Sequence, residues 1–193
     1  MNIDAVASQL RAVATVFGGN VAGAAAYANG VADQVWLPLP AAYVIPREED
    51  AEPNDSWPGL NQIIRERISV IVVLSTPNAG GASDAADRRG QAAAAQLPTL
   101  RAAIFKALLN WQPPGANAAR GIAYLGARFP EEGAFDRARF FYEFTFGLDV
   151  TITDADGWTV QGLPLVEVQG TITDGPGGAT YATTDIKLPV PTP

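Results

Sequence analysis

One run of alternating apolar and polar residues most limits what this sequence can fold into. In residues 139–152 every second side chain is aromatic or aliphatic, and most of the places between hold glutamate, threonine, glycine or aspartate. This period of two is typical of a β-strand that buries one face. Burying that face stabilises the chain by roughly 10 to 20 kcal/mol as an upper bound, and ordering the segment costs a similar amount. The run therefore predicts a sheet with a covering layer. The apolar members are Phe140, Tyr142, Phe144, Phe146, Leu148, Val150 and Ile152.

Two helices and a second long strand are predicted on similar grounds. Apolar residues spaced by three and four predict a helix over residues 3–16, with Asn2 as its N-cap. The same spacing over residues 97–111 predicts a long amphipathic helix that covers the aromatic face of the 139–152 strand. Residues 62–75 are apolar on both parities in their second half, which predicts a strand in the middle of the sheet.

The segments between these elements are less regular. Residues 121–129 alternate and precede a turn, which predicts a hairpin with the 139–152 strand. Residues 21–32 fit either a short strand and helix or a loosely packed loop. Residues 35–46 are interrupted by prolines, which lack the amide hydrogen of a sheet ladder, so an edge strand or an extended arm is expected. Residues 48–55 read as a solvated acidic loop.

These patterns together predict an α/β (α+β) protein. Its mixed or mostly antiparallel sheet is packed by an N-terminal helix and one long amphipathic helix, and it carries extended arms. We assign residues 1–158 to this core domain. Residues 159–193 are assigned to a C-terminal β-hairpin or arm that ends in a mobile, proline-rich tail.

Composition removes several kinds of chemistry. The 193 residues include no cysteine and no histidine, which excludes disulfides, thiolate nucleophiles, histidine triads and the usual zinc ligands. The 13 basic and 20 acidic residues give a net charge of -7, which disfavours binding to nucleic acid through the overall field. No apolar run approaches the roughly 20 residues that span a bilayer, and no membrane association is expected.

No residue is therefore assigned a catalytic, cofactor-binding or metal-binding role, and the candidate residues are those of contact surfaces. Arginines on strand patterns are better explained by cross-strand ion pairing or subunit contact than by catalysis. The candidate subunit interface consists of Trp36, Leu39, Tyr43, Arg65, Arg67, Arg137 and Arg139. The candidate channel-facing or exposed acidic loop consists of Glu48, Glu49, Asp50 and Glu52.

Several segments in one order carry a family resemblance. They are the Pro-Ala-Ala-Tyr-Val-Ile-Pro sequence at 40–46, Gln-Ile-Ile-Arg-Glu-Arg at 62–67, Val-Ile-Val-Val at 70–73, the helix at 100–113 and Phe-Phe-Tyr-Glu-Phe at 140–144. In this order they resemble the tail terminator, or tail completion, proteins of long-tailed bacteriophages.

The resemblance covers residues 1 to about 152 and implies an α/β subunit of the virion. It implies a homo-oligomeric ring, a hexamer, at the head-proximal end of the tail tube, assembled in the host cytoplasm. Such a ring stops tube growth and contacts the tail tube protein and a neck or head-tail connector protein. DNA passes through it without specific binding, and no cofactor or enzymatic activity is implied.

Other classes of function stay open at this stage. A related structural one is another neck or tube subunit. A carbohydrate- or peptide-binding module would use tryptophan and tyrosine on exposed strand faces. A metal-dependent hydrolase would use the acidic residues at 48–55, since carboxylates are the preferred ligands of hard cations.

Overall fold

The computed structural model describes residues 1–54, 59–76, 91–130, 139–157, 167–173 and 180–187. The chain divides into two compact units, Met1–Gly157 and Trp158–Pro193. This division falls beside the boundary that the sequence predicts at residue 158.

A mixed five-stranded sheet forms the centre of the first unit. Its strands are β1 Val21–Gly23, β2 Ala41–Ala51, β3 Asn61–Ser75, β4 Ala123–Arg128 and β5 Arg139–Thr153. They lie in the order β1-β2-β3-β5-β4, and only β1 and β2 run parallel. The predicted mixed sheet, the central position of β3 and the hairpin of β4 with β5 are confirmed.

Three helices pack against this sheet. They are α1 Ile3–Val13, α2 Ala24–Asp33 and α3 Leu97–Leu108, with a 3-10 turn at Thr15–Phe17 and a helical turn at Gln91–Ala94. The predicted N-cap is confirmed, because the Asn2 Oδ1 accepts a hydrogen bond of 3.1 Å from the Ala5 backbone N–H. In the described part of the chain, no helix has the length and apolar character needed to cross a membrane.

The first core lies between the sheet and the two helices α1 and α3. Leu10, Ile104, Phe144 and Phe146 are each at most 1% exposed and belong to one cluster. The prediction that the long helix covers the aromatic face of β5 is therefore confirmed. The ring of Phe105 on α3 extends this packing, with its centroid 6.2 Å from that of Phe146.

A second core covers one end of the opposite face, where the sequence predicts only a polar surface for β5. Phe141 is 2% exposed there and clusters with Ala41, Tyr43, Ile71 and Val73. Tyr27 of α2 and Trp36 pack over them. The prediction that β5 buries only one face is therefore wrong for this end of the strand, because α2 and the residues after it form a second covering layer.

The interpretation of residues 35–46 as an edge strand or an arm is wrong for residues 41–44. Residues 42–44 lie between β1 and β3, Ala41 pairs with β3, and all four are fully buried. Pro38 and Pro40 precede the strand, and Pro46 lies beyond the residues that β1 pairs, next to a bulge. Pro46 lies opposite Ile68 of β3 but outside the stretch that β1 pairs, so no proline lies between two neighbouring strands. Among the described strands, β2 has a free outer edge from Ile45 onward.

The second unit contains a two-stranded antiparallel sheet. Strands β6 Glu167–Thr173 and β7 Thr180–Lys187 pair from Glu167 with Lys187 to Thr173 with Thr180. The predicted proline-rich tail lies outside the described residues.

Candidate assembly interface

A buried polar cluster links four strands of the sheet on its second face. The carboxylate of Glu143 on β5 is 1% exposed. Arg47 of β2 donates to its Oε1 at 2.5 Å, and Arg128 of β4 donates to its Oε2 at 3.2 Å. Ser69 of β3, itself fully buried, donates to Oε1 and accepts a hydrogen bond of 2.9 Å from Arg47. One carboxylate thus binds side chains from the three other long strands.

The electrostatics of this cluster keep the carboxylate ionised. Burial by itself raises the pKa of Glu143, but the hydrogen bonds from Ser69, Arg47 and Arg128 and the positive charge of Arg47 outweigh it, so the pKa is lowered. A carboxylate in this state does not exchange a proton near neutral pH. The cluster is therefore a structural brace that fixes the strands against each other, and it has no arrangement suited to acid-base catalysis.

Local patterns in the sequence do not predict this cluster. A strand over residues 139–152 that buries one face would leave Glu143 on its exposed face, which is wrong because Glu143 is buried. A signal was present in Phe141, which shares that face, and in Ser69, which interrupts the apolar run of β3. A polar residue inside a buried strand needs a hydrogen-bond partner, and the carboxylate beside it supplies one.

The acidic segment lies in a strand for most of its length. Glu48, Glu49 and Asp50 belong to β2, and Glu52 follows its last residue. The prediction of a loop is therefore wrong for the first three. A register shift between Pro46 and Glu49 marks a bulge, after which β2 continues beside β3.

Arginines of β3 pair with these carboxylates. Arg67 contacts Glu48 and lies 3.6 Å from Asp50, measured from its Nη2 to Oδ2, and Arg65 contacts Glu52. Of the two explanations for these arginines, cross-strand ion pairing is thus present in the structure. Their part in subunit contact stays a prediction.

The aromatic residues of the predicted interface lie within one chain's own core. Tyr43 is fully buried, and its hydroxyl accepts a hydrogen bond of 3.1 Å from the Leu37 backbone. The Trp36 ring lies 5.9 Å from that of Tyr43 and carries the Arg139 guanidinium above it at 5.3 Å. Leu39 packs against the same cluster. Tyr43 thus has no exposed surface to offer a neighbour.

Arg137 lies outside the described residues. The same is true of Trp57 and Trp158, while Trp111 packs against the first core. A sugar- or peptide-binding face of aromatic side chains is therefore not assembled from the described tryptophans. Within the described stretches no group of three or more aspartates or glutamates is arranged to hold a metal ion.

The edge of the sheet at β4 exposes apolar side chains beside arginines. Tyr124 and Leu125 are 38% and 54% exposed. Arg128 lies on β4, Arg101 of α3 lines a cleft with Tyr124, and Arg120 lines a groove with Leu125. The opposite free edge, formed by β2 from Ile45 onward, carries the four carboxylates described above.

A groove lies beside β4. Its volume is about 440 Å³, and its walls include Ile63, Arg67, Arg120, Leu125 and Asp149. It is open to solvent and is lined by both arginines and carboxylates. The geometry defines a small α+β subunit whose candidate site is a set of contact surfaces.

Comparison with known proteins assigns this α+β subunit to a family. The family model for the phage tail terminator protein matches residues 1–156, and the chain belongs to this family. As a member, the protein is a structural component of the phage tail and virion that associates with other tail and neck components.

A solved structure described as "Virion of native gene transfer agent (GTA) particle" contains a similar chain. The two share 22% sequence identity, with a TM-score of 0.40, over 78% of this chain and 95% of that one. The comparison with curated proteins finds no match.

Proposed function

We propose that copies of this protein form a ring at the head-proximal end of the tail tube, where the ring ends tube growth and joins the tail to the neck. The observation that carries the proposal is the match of the tail terminator family over residues 1–156. The first unit, Met1–Gly157, contains the whole of the matched region and supplies the contact surfaces.

The fold suits a rigid subunit that keeps its shape when it binds its neighbours. Its sheet is packed on one face by α1 and α3 and at one end of the other by α2. The brace around Glu143 ties β2, β3, β4 and β5 together. Closely packed interiors resist deformation, so a ring of such subunits offers fixed surfaces to the tube on one side and to the neck on the other.

The same proposal covers the passage of DNA. A net charge of -7 on the chain gives no general attraction for phosphates, which favours a channel wall that DNA slides along without binding. The acidic residues Glu48, Glu49, Asp50 and Glu52 are candidates for surfaces near that channel. The tail tube protein and a neck or connector protein are the proposed partners.

Deletion of the gene from its phage tests the proposal. We expect heads and tails to accumulate separately, with tubes of irregular length, and we expect supply of the intact protein in trans to restore joined particles. The matched control is an Asp33→Ala protein, which changes one exposed side chain at the end of α2 and should restore joining equally well. Joined particles with normal tails in the absence of the protein would rule out the proposed role.

A further inference from the structure

The two free edges of the sheet differ in the charges that they leave exposed: carboxylates predominate on β2 beyond Val44, and arginines flank β4. The edge of β2 beyond Val44 holds Glu48, Glu49 and Asp50, with Glu52 just after it. All but Glu52 are among the exposed residues. The edge at β4 at the other side of the sheet is flanked by Arg101, Arg120 and Arg128. Arg128 is paired with Glu143, and the groove that Arg120 lines also contains Glu66 and Asp149.

One charge on each edge has no partner within the described part of the chain. Glu49 on β2 and Arg120 beside β4 are exposed, and neither makes an ion pair or a hydrogen bond with a described residue. On the acidic edge the neighbouring carboxylates are already paired with Arg65 and Arg67. Glu49 and Arg120 are therefore the groups best able to pair with another molecule.

The β4 edge also has the composition of an interface centre. Tyr124 and Leu125 expose apolar surface, and the Tyr124 ring packs at 4.7 Å on that of Phe105, which holds it in place. Tyrosine and arginine are enriched where proteins bind each other. The outer backbone edge of β4 has no neighbour among the described strands, so its N–H and C=O groups can pair with another strand.

We propose that the acidic edge of β2 in one copy contacts the basic edge of β4 in the next copy, and that this repeated contact builds the ring. The two edges are different surfaces, so the contact is heterologous: each copy gives one edge and receives the other. Heterologous contacts close into rings when the rotation between copies permits, whereas a contact between identical edges stops at a dimer. The inference rests on the proposed ring and names the surfaces that form it.

Opposite charge on the two edges also selects the order of contact. An acidic edge repels another acidic edge, and a basic edge repels another basic edge. The head-to-tail arrangement brings Glu49 of one copy to Arg120 of the next, so charge speeds this encounter and favours it over a symmetric dimer.

Charge exchange tests the contact in the full-length protein. Arg120→Glu and Glu49→Arg should each raise the protein concentration at which rings form by roughly tenfold or more, because each places like charges together. The double variant Arg120→Glu/Glu49→Arg should restore assembly, since the pair is re-formed in reverse. Asp33→Arg, which reverses an exposed carboxylate at the end of α2, is the control and should assemble as the wild type does.

Native mass spectrometry and sedimentation of the purified protein, alone and on tail tubes, measure the assembly. Thermal unfolding should be nearly unchanged in all variants, because neither side chain has an internal partner to lose. A fall in assembly that accompanies general unfolding would not count as support, so the cross-linking experiment below decides such a case.

Cross-linking identifies the surfaces directly, because the chain has no cysteine of its own. Ala51→Cys and Ala123→Cys place one thiol on each edge at exposed alanines. With a short bismaleimide, the double variant should give a ladder of covalent oligomers that ends at the ring. Each single variant should stay uncross-linked, since a heterologous contact never brings two identical residues together.

The possible results distinguish a wrong interface from a wrong proposed function. Rings of wild-type protein that neither respond to the charge exchange nor give a ladder would overturn this interface and leave the proposed function intact. Dimers from a single-cysteine variant would replace it with a symmetric contact. A protein that forms no ring alone or on tubes would overturn the proposed function, and the interface with it.

Discussion

Loss of the Arg47 side chain tests whether the buried cluster braces the sheet as described. Arg47→Met keeps most of the aliphatic stem and removes the guanidinium, so the Glu143 carboxylate, 1% exposed, loses its shortest hydrogen bond to an arginine. Removing one partner of a buried ion pair costs about 3 to 5 kcal/mol when the other is left uncompensated. Arg128 and Ser69 continue to bind the carboxylate here, and the Arg47 side chain is 39% exposed. We therefore expect a loss of about 2 to 3 kcal/mol.

Urea and thermal unfolding, followed by tryptophan fluorescence and circular dichroism, measure this loss. It corresponds to a fall in Tm of about 4 to 12 °C, since 1 kcal/mol shifts Tm by about 2 to 4 °C in domains of this size. Arg65→Met is the matched control. It breaks an ion pair to Glu52 on the same sheet whose arginine is 53% exposed, and it should cost less than about 1 kcal/mol. Equal losses in the two variants would refute the argument that burial of Glu143 makes its partners important.

Three further predictions follow from the core and the cluster. Phe144→Ala should cost about 3 to 5 kcal/mol by leaving a cavity under α3, while Glu49→Ala should stay within about 0.5 kcal/mol of the wild type; equal effects in equilibrium unfolding would show that the core is misplaced. Gly121→Ala should destabilise the protein by about 1 to 3 kcal/mol, because the new methyl group would lie 2.2 Å from a backbone carbon of the preceding loop. The methyl group of the control variant Gly23→Ala has room. A neutral Gly121→Ala in the same assay would contradict the close packing of that loop. The folded-state pKa of Glu143 is lowered, so its contribution to stability is present above the unfolded-state pKa of about 4.3 and is lost as pH falls through the folded value. Glu143→Gln should therefore be less stable than the wild type near pH 7, and the difference should shrink as pH falls from about 5; a difference independent of pH, measured beside the control Glu49→Gln, would contradict the ionised state.

Local patterns were enough to predict the first core. The alternation of β5 and the spacing of α3 both repeat apolar residues at the period of their own element, so the Phe144 face and its covering helix follow from neighbours in sequence. The N-cap at Asn2 is likewise a local signal, because a side-chain oxygen there meets backbone N–H groups only a few residues away.

The second core and the buried cluster depend on contacts that no local pattern contains. Whether Glu143 faces water depends on Arg47, which is 96 residues away in the chain and reaches it only through the pairing of three strands. Burial of Phe141 depends in the same way on Trp36, whose ring lies 5.3 Å away. A period of two identifies the two faces of a strand, but the layer over each face comes from elsewhere in the chain.

The segment around Tyr43 lies inside the sheet although prolines flank it. Proline excludes its own residue from ladder hydrogen bonds and leaves its neighbours free to pair, so residues 41–44 lie inside the sheet between Pro40 and Pro46. The set of candidate interface residues changes as well. Aromatic residues predicted at the surface belong to the core, and the exposed contact features are the charged edges of β2 and β4.

Cryo-electron microscopy of the complete particle tests the central claim most directly. The account predicts a ring of copies of this chain between the last tube ring and the neck, with the β2 edge of each copy against the β4 edge of the next. Density for the chain at any other position in the particle, or single copies that do not touch one another at the head-tail junction, would contradict it.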